Sequence, residues 1–245
     1  MSASIIIPAT GPAGTISQVR ARSGSGRPSY VARATGVRGE RDAVLALVMD
    51  RVHKSFGAGV RGCGARVRVL AGASLVVGVG EIVGVAGGAG EGKSTLLVCA
   101  AGSVRVERGS VSWPARSTGA CGEGARRRLY LDLRDTRQCR EIERAVAGGV
   151  PLLLLDHATP AILDELRAVV ARMPRPLGSA ILVAGRSGAE LARVASRVLV
   201  LREGRVHAAG SVAGERAAAP QRKRSAARAS SEFPSALARA RIRST

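Results

Sequence analysis

The stretch "GGAGEGKST" supplies Gly87, Gly88, Ala89, Gly90, Glu91, Gly92, Lys93, Ser94 and Thr95, and its first eight residues fit G-x-x-x-x-G-K-[ST]. Glycines at this spacing let successive backbone N–H groups turn inward around a phosphate chain. A helix opening at the lysine would present its positive end to the same charge. One helix terminus contributes only about 0.3–1 kcal/mol to an exposed anion, so several amides must act together with Lys93. Lys93 is expected to reach the β- and γ-phosphates of a nucleotide, and Ser94 to offer its hydroxyl to Mg2+, with Thr95 beside it.

A second chemical stretch is "LLLLDHATP", Leu152 to Pro160, in which four leucines run into Asp156 and then His157. The apolar run reads as a buried strand that delivers a carboxylate to its end. A neutral imidazole at His157 could accept a proton from water, since histidine's ordinary pKa is about 6.5. The competing reading is that His157 is structural and has no catalytic role.

Both stretches need a frame that brings them together. "IVGVA" (Ile82–Ala86) is short and wholly apolar, as a strand buried on both faces must be, and it enters the glycine loop directly. Leu96, Leu97 and Ala100 follow at helical spacing. A chain with 31 glycines can match such a loop by chance, but this match follows a strand and opens a helix. "VLALVMD" (Val44–Asp50) and "GSVSW" (Gly109–Trp113) read as strands, and "ARVRVLAGASLVVGVGE" as a strand pair turning at Gly78–Gly80. Helices are expected over 136–149, 161–173 and 188–195, with strands over 179–185 and 197–206. Such alternation implies an α/β fold with a mostly parallel sheet flanked by helices.

The 245 residues suffice for one ordinary domain with extensions, and 46% are apolar while only 2% are aromatic, so a core must be built from Val, Leu, Ile and Ala. Half of the net charge of +20 lies in residues 1–42 and 211–245. Those ends read as a disordered leader and a basic disordered tail around a folded part of 43–210. Cys63, Cys99, Cys121 and Cys139 form no C-x-x-C pair, which fits reduced thiols and a cytoplasmic setting rather than a disulfide framework or zinc site. The N-terminus lacks the basic start and long apolar run of a signal peptide, and no run of about 18 apolar residues offers a transmembrane helix.

The chain resembles the ATP-binding domain of ABC transporters, a P-loop NTPase family. The resemblance is carried by "GEIVGVAGGAGEGKSTLL" as Walker A, "PLLLLDHAT" as Walker B, "ERGSVSW" after the first helix and "RVLVLREGRV" near the end of the domain. It implies a small N-terminal antiparallel β portion, with Phe56 stacking on adenine and Asp156 holding Mg2+ through a water in line with Ser94. It also implies a membrane permease partner, a second ATP-binding subunit as homo- or heterodimer, and a place at the inner face of the membrane. Several expected features differ. His157 stands where the family's catalytic glutamate would be, Gly185 where its switch histidine would be, and "DLRDT" (Asp132–Thr136) where its LSGGQ-type signature would be. Only 63 residues separate Lys93 from Asp156, which removes most of the family's helical subdomain. The reading is therefore an ATP-binding subunit that binds Mg-ATP and hydrolyses it weakly or not at all. The alternative is a basic nucleic-acid-associated protein that uses the loop as a nucleotide switch. "RKRSAAR" (Arg222–Arg228) and "ARRRLY" (Ala125–Tyr130) motivate it, although no nucleic-acid-binding motif accompanies them.

Overall fold

A computed structural model describes residues 4–5, 15–22, 29–36, 39–57, 66–114, 128–134, 139–172 and 178–208. The sequence expected to be a basic tail, 211–245, lies outside the described residues, as do 135–136 of "DLRDT" and 125–127 of "ARRRLY".

The segment expected to be a leader carries four antiparallel strands instead: β1 (Ser4–Ile5), β2 (Thr15–Arg22), β3 (Ser29–Gly36) and β4 (Gly39–Ala43), paired in that order. Its Gly, Ser and Pro residues hide short runs containing Ile16, Val19, Val31 and Thr35, which suit extended backbone.

The next strands are β5 (Leu45–Gly57) and β6 (Arg66–Gly78), a long antiparallel pair with register shifts at several points. One shift follows Arg51, which adopts a positive φ of 45°. The run expected to form a strand pair of its own is therefore one strand, pairing backwards with β5. The turn at 79–80 instead leads into β7 (Ile82–Ala86) of another sheet. Then come α1 (Lys93–Ala101), β8 (Arg108–Ser112), β9 (Arg128–Asp132), α2 (Cys139–Ala147), β10 (Leu152–Asp156), α3 (Pro160–Arg172) and β11 (Ala180–Gly185). The one-turn α4 (Gly188–Leu191), β12 (Arg197–Arg202) and β13 (Arg205–Ala208) complete the described chain. The helix expected over 188–195 stops early. Ser187 caps it by accepting from the Glu190 N–H, but Arg193 and Val194 already donate in tight turns, to the Glu190 and Leu191 carbonyls.

Two sheets frame the site. β6-β5-β8 form an antiparallel layer, and β13-β12-β7-β11-β10-β9 form a six-stranded sheet in which every pair except β12–β13 is parallel. Its central strands β7, β10 and β11 are buried on both faces, so the alternation of side chains sorts the core into two clusters. Leu152 and Leu154 pack with Val83, Val85, Leu182, Leu96 and Leu97, between the sheet, α1 and the antiparallel layer. Leu153 and Leu155 face the other way, onto Ile142 of α2, Leu163 and Leu166 of α3, and Leu191 of α4. Each fully buried leucine contributes about 1.5–3 kcal/mol through removal from water. No helix among the described residues is long and apolar enough to cross a membrane.

Candidate functional site

In an open parallel sheet, the loops leaving the strands' carboxyl ends gather on one edge. β7 there runs into Gly87 and β10 runs into His157. β11 lies between them, so the glycine loop and the Asp156 turn flank the exit of a single intervening strand.

The glycine loop has the conformation its sequence requires. Gly92, the residue capping α1, sits at φ 93°, and a Cβ there would come within 2.6 Å of Val69 Cγ1. At Gly87 a Cβ would lie 2.8 Å from the Leu201 carbonyl oxygen. α1 has no side-chain N-cap, and among the described residues nothing accepts from the N–H groups of Lys93, Ser94 or Thr95. Lys93 Nζ donates to the carbonyls of Gly87 at 2.7 Å and Gly88 at 2.6 Å, closing the loop over its own backbone. Burial lowers the Lys93 pKa below its ordinary value. Arg186 adds to the drop, and Asp156 and Glu91 oppose it. Behind the loop, Glu91 Oε2 accepts from the Glu203 N–H at 2.9 Å, and the Gly204 carbonyl accepts from the Ala71 N–H at 2.8 Å. The β12–β13 turn thus ties the loop to β6. The free amides, tight glycines and lysine fit a phosphate chain.

Asp156 is 1% exposed at the end of β10. Its Oδ1 accepts from the His157 N–H at 2.8 Å, and its Oδ2 accepts from the Tyr130 hydroxyl at 3.0 Å. Burial raises the Tyr130 pKa well above its ordinary value, and the Asp156 charge adds to it, so the hydroxyl remains a donor. His157 has a φ of 57°, a left-handed backbone that costs a non-glycine residue roughly 1–2 kcal/mol. Its Nδ1 lies 3.2 Å from Asp132 Oδ1 and 3.4 Å from Asp156 Oδ2, yet is buried without a hydrogen-bond partner. Asp132 sits beside Asp156 in the β9–β10 register and is gripped by Arg134. Burial pulls the Asp132 pKa upward, but the hydrogen bonds from Arg134 and the nearby His157 outweigh it and hold the carboxyl below its ordinary value.

The structure therefore brings Gly87–Thr95, Asp156 and His157 to one sheet edge. Phe56 belongs to the antiparallel layer, 43% exposed, with Lys54 Nζ 5.1 Å from its ring centroid. Tyr130, Asp132 and Arg186 were not singled out by sequence. Each follows from strand order, which no local pattern reveals. Among the described residues, no group of three or more His, Cys, Asp or Glu side chains is arranged to hold a metal ion unaided. An open groove of about 410 Å³ continues from His157 along Leu133, Arg134, Arg140 and α3.

No family model matches the chain. A curated relative, the methionine import ATP-binding protein MetN of Cereibacter sphaeroides (strain ATCC 17023), is 34% identical over 157 residues. That match covers 63% of this chain and 43% of the relative, so the chain spans less than half of the relative's length. Similar solved structures include the ATP-binding cassette MJ0796 in a dimeric post-hydrolysis state bound to ADP and Pi, at 15% identity and a TM-score of 0.48, covering 65% of this chain and 96% of that one. Another is cbiO1 from Clostridium perfringens, part of the ABC transporter complex cbiONQ, at 16% identity and a TM-score of 0.47, covering 66% and 87%. The glycine loop and its sheet make the described domain α/β with a mostly parallel sheet, and over 157 residues the chain is similar to the methionine import ATP-binding protein.

Proposed function

We propose that the chain is an ATP-binding subunit of the ABC transporter kind, and that it binds Mg-ATP at the edge between β7 and β10 with weak or absent hydrolysis. The observation that carries this reading is the pairing of an uncapped α1 and its glycine loop with a buried carboxylate one strand away. Gly87–Thr95 would hold the phosphates. Lys93 would exchange its two carbonyl acceptors for phosphate oxygens. Ser94 and Asp156 would hold Mg2+. Both Asp156 oxygens already accept a hydrogen bond, which favours contact through a water, and the remaining ligands would come from phosphate and solvent. The ion would neutralise the terminal phosphates. Phe56 keeps an exposed ring for stacking on adenine.

Weak hydrolysis is supported by His157. Its Nδ1 is buried beside two carboxylates and its backbone is held in a left-handed turn, so the residue serves the turn rather than a water. By this reading, a permease subunit and a second ATP-binding subunit are its partners, at the inner face of a membrane. The basic stretches behind the nucleic-acid alternative lie mostly outside the described residues, and no observation favours it.

Equilibrium titration with ATP and Mg2+ tests the core of the reading. Lys93→Ala should lower affinity about tenfold or more, as expected for losing a charge-assisted contact. Equal binding by both proteins would refute it. Steady-state turnover should be near background in the wild type and unchanged in His157→Ala. Brisk turnover abolished by that substitution would make His157 the base instead.

A further inference from the structure

β11 is the strand on which the two halves of the site meet, and its exit is occupied by Arg186. Gly185 pairs with Ala86, so the chain leaves β11 level with the start of the glycine loop. On the other side, Val183 pairs with Leu155 and the Ala184 carbonyl accepts from the Ala158 N–H, which places the same exit against the Asp156–His157 turn. Arg186 is exposed and forms no ion pair among the described residues. The carboxylates around the loop are engaged elsewhere: Asp156 with Tyr130 and the His157 amide, and Glu91 with the Glu203 amide.

We propose that Arg186 contacts the terminal phosphate of a bound nucleotide and makes the site prefer a nucleoside triphosphate over a diphosphate. This rests on the nucleotide reading above. Arg186 leaves β11 between the glycine loop that carries Lys93 and the Asp156 turn, so a polyanion in that gap would meet a cation from each side. A guanidinium offers a planar fork of donors matched to phosphate oxygens, and it stays charged at any working pH. A chain of phosphates anchored at Lys93 must grow toward the β11 exit to approach Asp156, because β11 separates β7 from β10. Its last member is the one that meets Arg186, and a diphosphate lacks it.

The test is equilibrium titration of the full chain with ATP and with ADP, each with Mg2+, for wild type, Arg186→Ala, Arg186→Lys and Lys93→Ala. Because Arg186 is exposed, its substitution should leave the unfolding midpoint in place. Arg186→Ala should weaken ATP about tenfold while ADP changes by less than about twofold. Arg186→Lys should recover part of the loss, since a point charge replaces a fork. Equal weakening of ATP and ADP, or no weakening of either, would overturn the proposal while leaving nucleotide binding intact. Failure of the wild type to bind either nucleotide would overturn the nucleotide reading and this proposal together.

Discussion

Replacing Glu81 or Arg197 probes how the turn ahead of the glycine loop is held. Arg197 on β12 has a side chain 3% exposed, and its Nε lies 2.6 Å from Oε1 of Glu81, itself 11% exposed. The same guanidinium donates to the Val76 carbonyl on β6, while Glu81 Oε2 accepts from the Gly78 N–H at 2.8 Å. The pair therefore joins β6, the turn and β12. In Glu81→Leu the buried guanidinium keeps one carbonyl partner, and its Nη1 has none even in the wild type. Stranding that charge should cost about 3–5 kcal/mol of a total that for most domains is about 5–15 kcal/mol. Arg197→Met should cost somewhat less, because Glu81 retains the Gly78 amide and some access to water. The double variant carries no buried charge and strands mainly that amide, for about 1–3 kcal/mol. It should be more stable than Glu81→Leu, so the two effects are strongly non-additive. Urea unfolding followed by far-UV circular dichroism and by fluorescence of Trp113, the chain's one tryptophan, measures all three. Single variants within about 1 kcal/mol of wild type, with a double variant equal to their sum, would refute the assignment of a buried, coupled pair.

Tyr130→Phe deletes only the hydroxyl that donates to Asp156, and should cost about 1–3 kcal/mol in urea unfolding because a buried charged acceptor loses a partner. It should also weaken Mg2+-dependent ATP binding more than Mg2+-free binding, and a variant matching wild type in both would show the bond to be idle. The depressed Asp132 pKa supplies stability that is complete above its unfolded value near 3.8 and is lost as pH falls toward the folded value. Asp132→Asn should therefore flatten acid unfolding below about pH 4, and an unaltered acid limb would contradict the shift.

The parts of the site that local sequence dictates were legible. Ile82–Ala86 and the glycines define a strand, loop and helix within a few residues of one another, and Leu152–Leu155 declare a strand buried on both faces. What stayed hidden depends on neighbours distant in sequence. Tyr130 is paired with Leu154, two residue pairs before Asp132 and Asp156, and nothing in "RLYLD" announces that β9 lies beside β10. Arg186 acquires interest only because β11 is inserted between β7 and β10. The length of β6 was obscured by Gly78–Gly80, which read as the turn of a strand pair although β6 runs unbroken to Gly78. The strands within 4–43 were missed because Gly, Ser and Pro between them dominate the local composition.

The tie from Glu91 to the β12–β13 turn, and from that turn to β6, bears on how fast a ligand arrives and leaves. A loop braced from behind has little ordering left to do when phosphate enters, so the entropic toll of capture is small. Encounter should then proceed at a rate set by diffusion and by the cations at the rim, falling as salt rises. Glu91→Ala removes the brace together with one negative charge, and its signature is slower capture in spite of a rim made more attractive to phosphate. Stopped-flow traces of a fluorescent nucleotide at several salt concentrations separate a loop that waits ready from one that must first assemble.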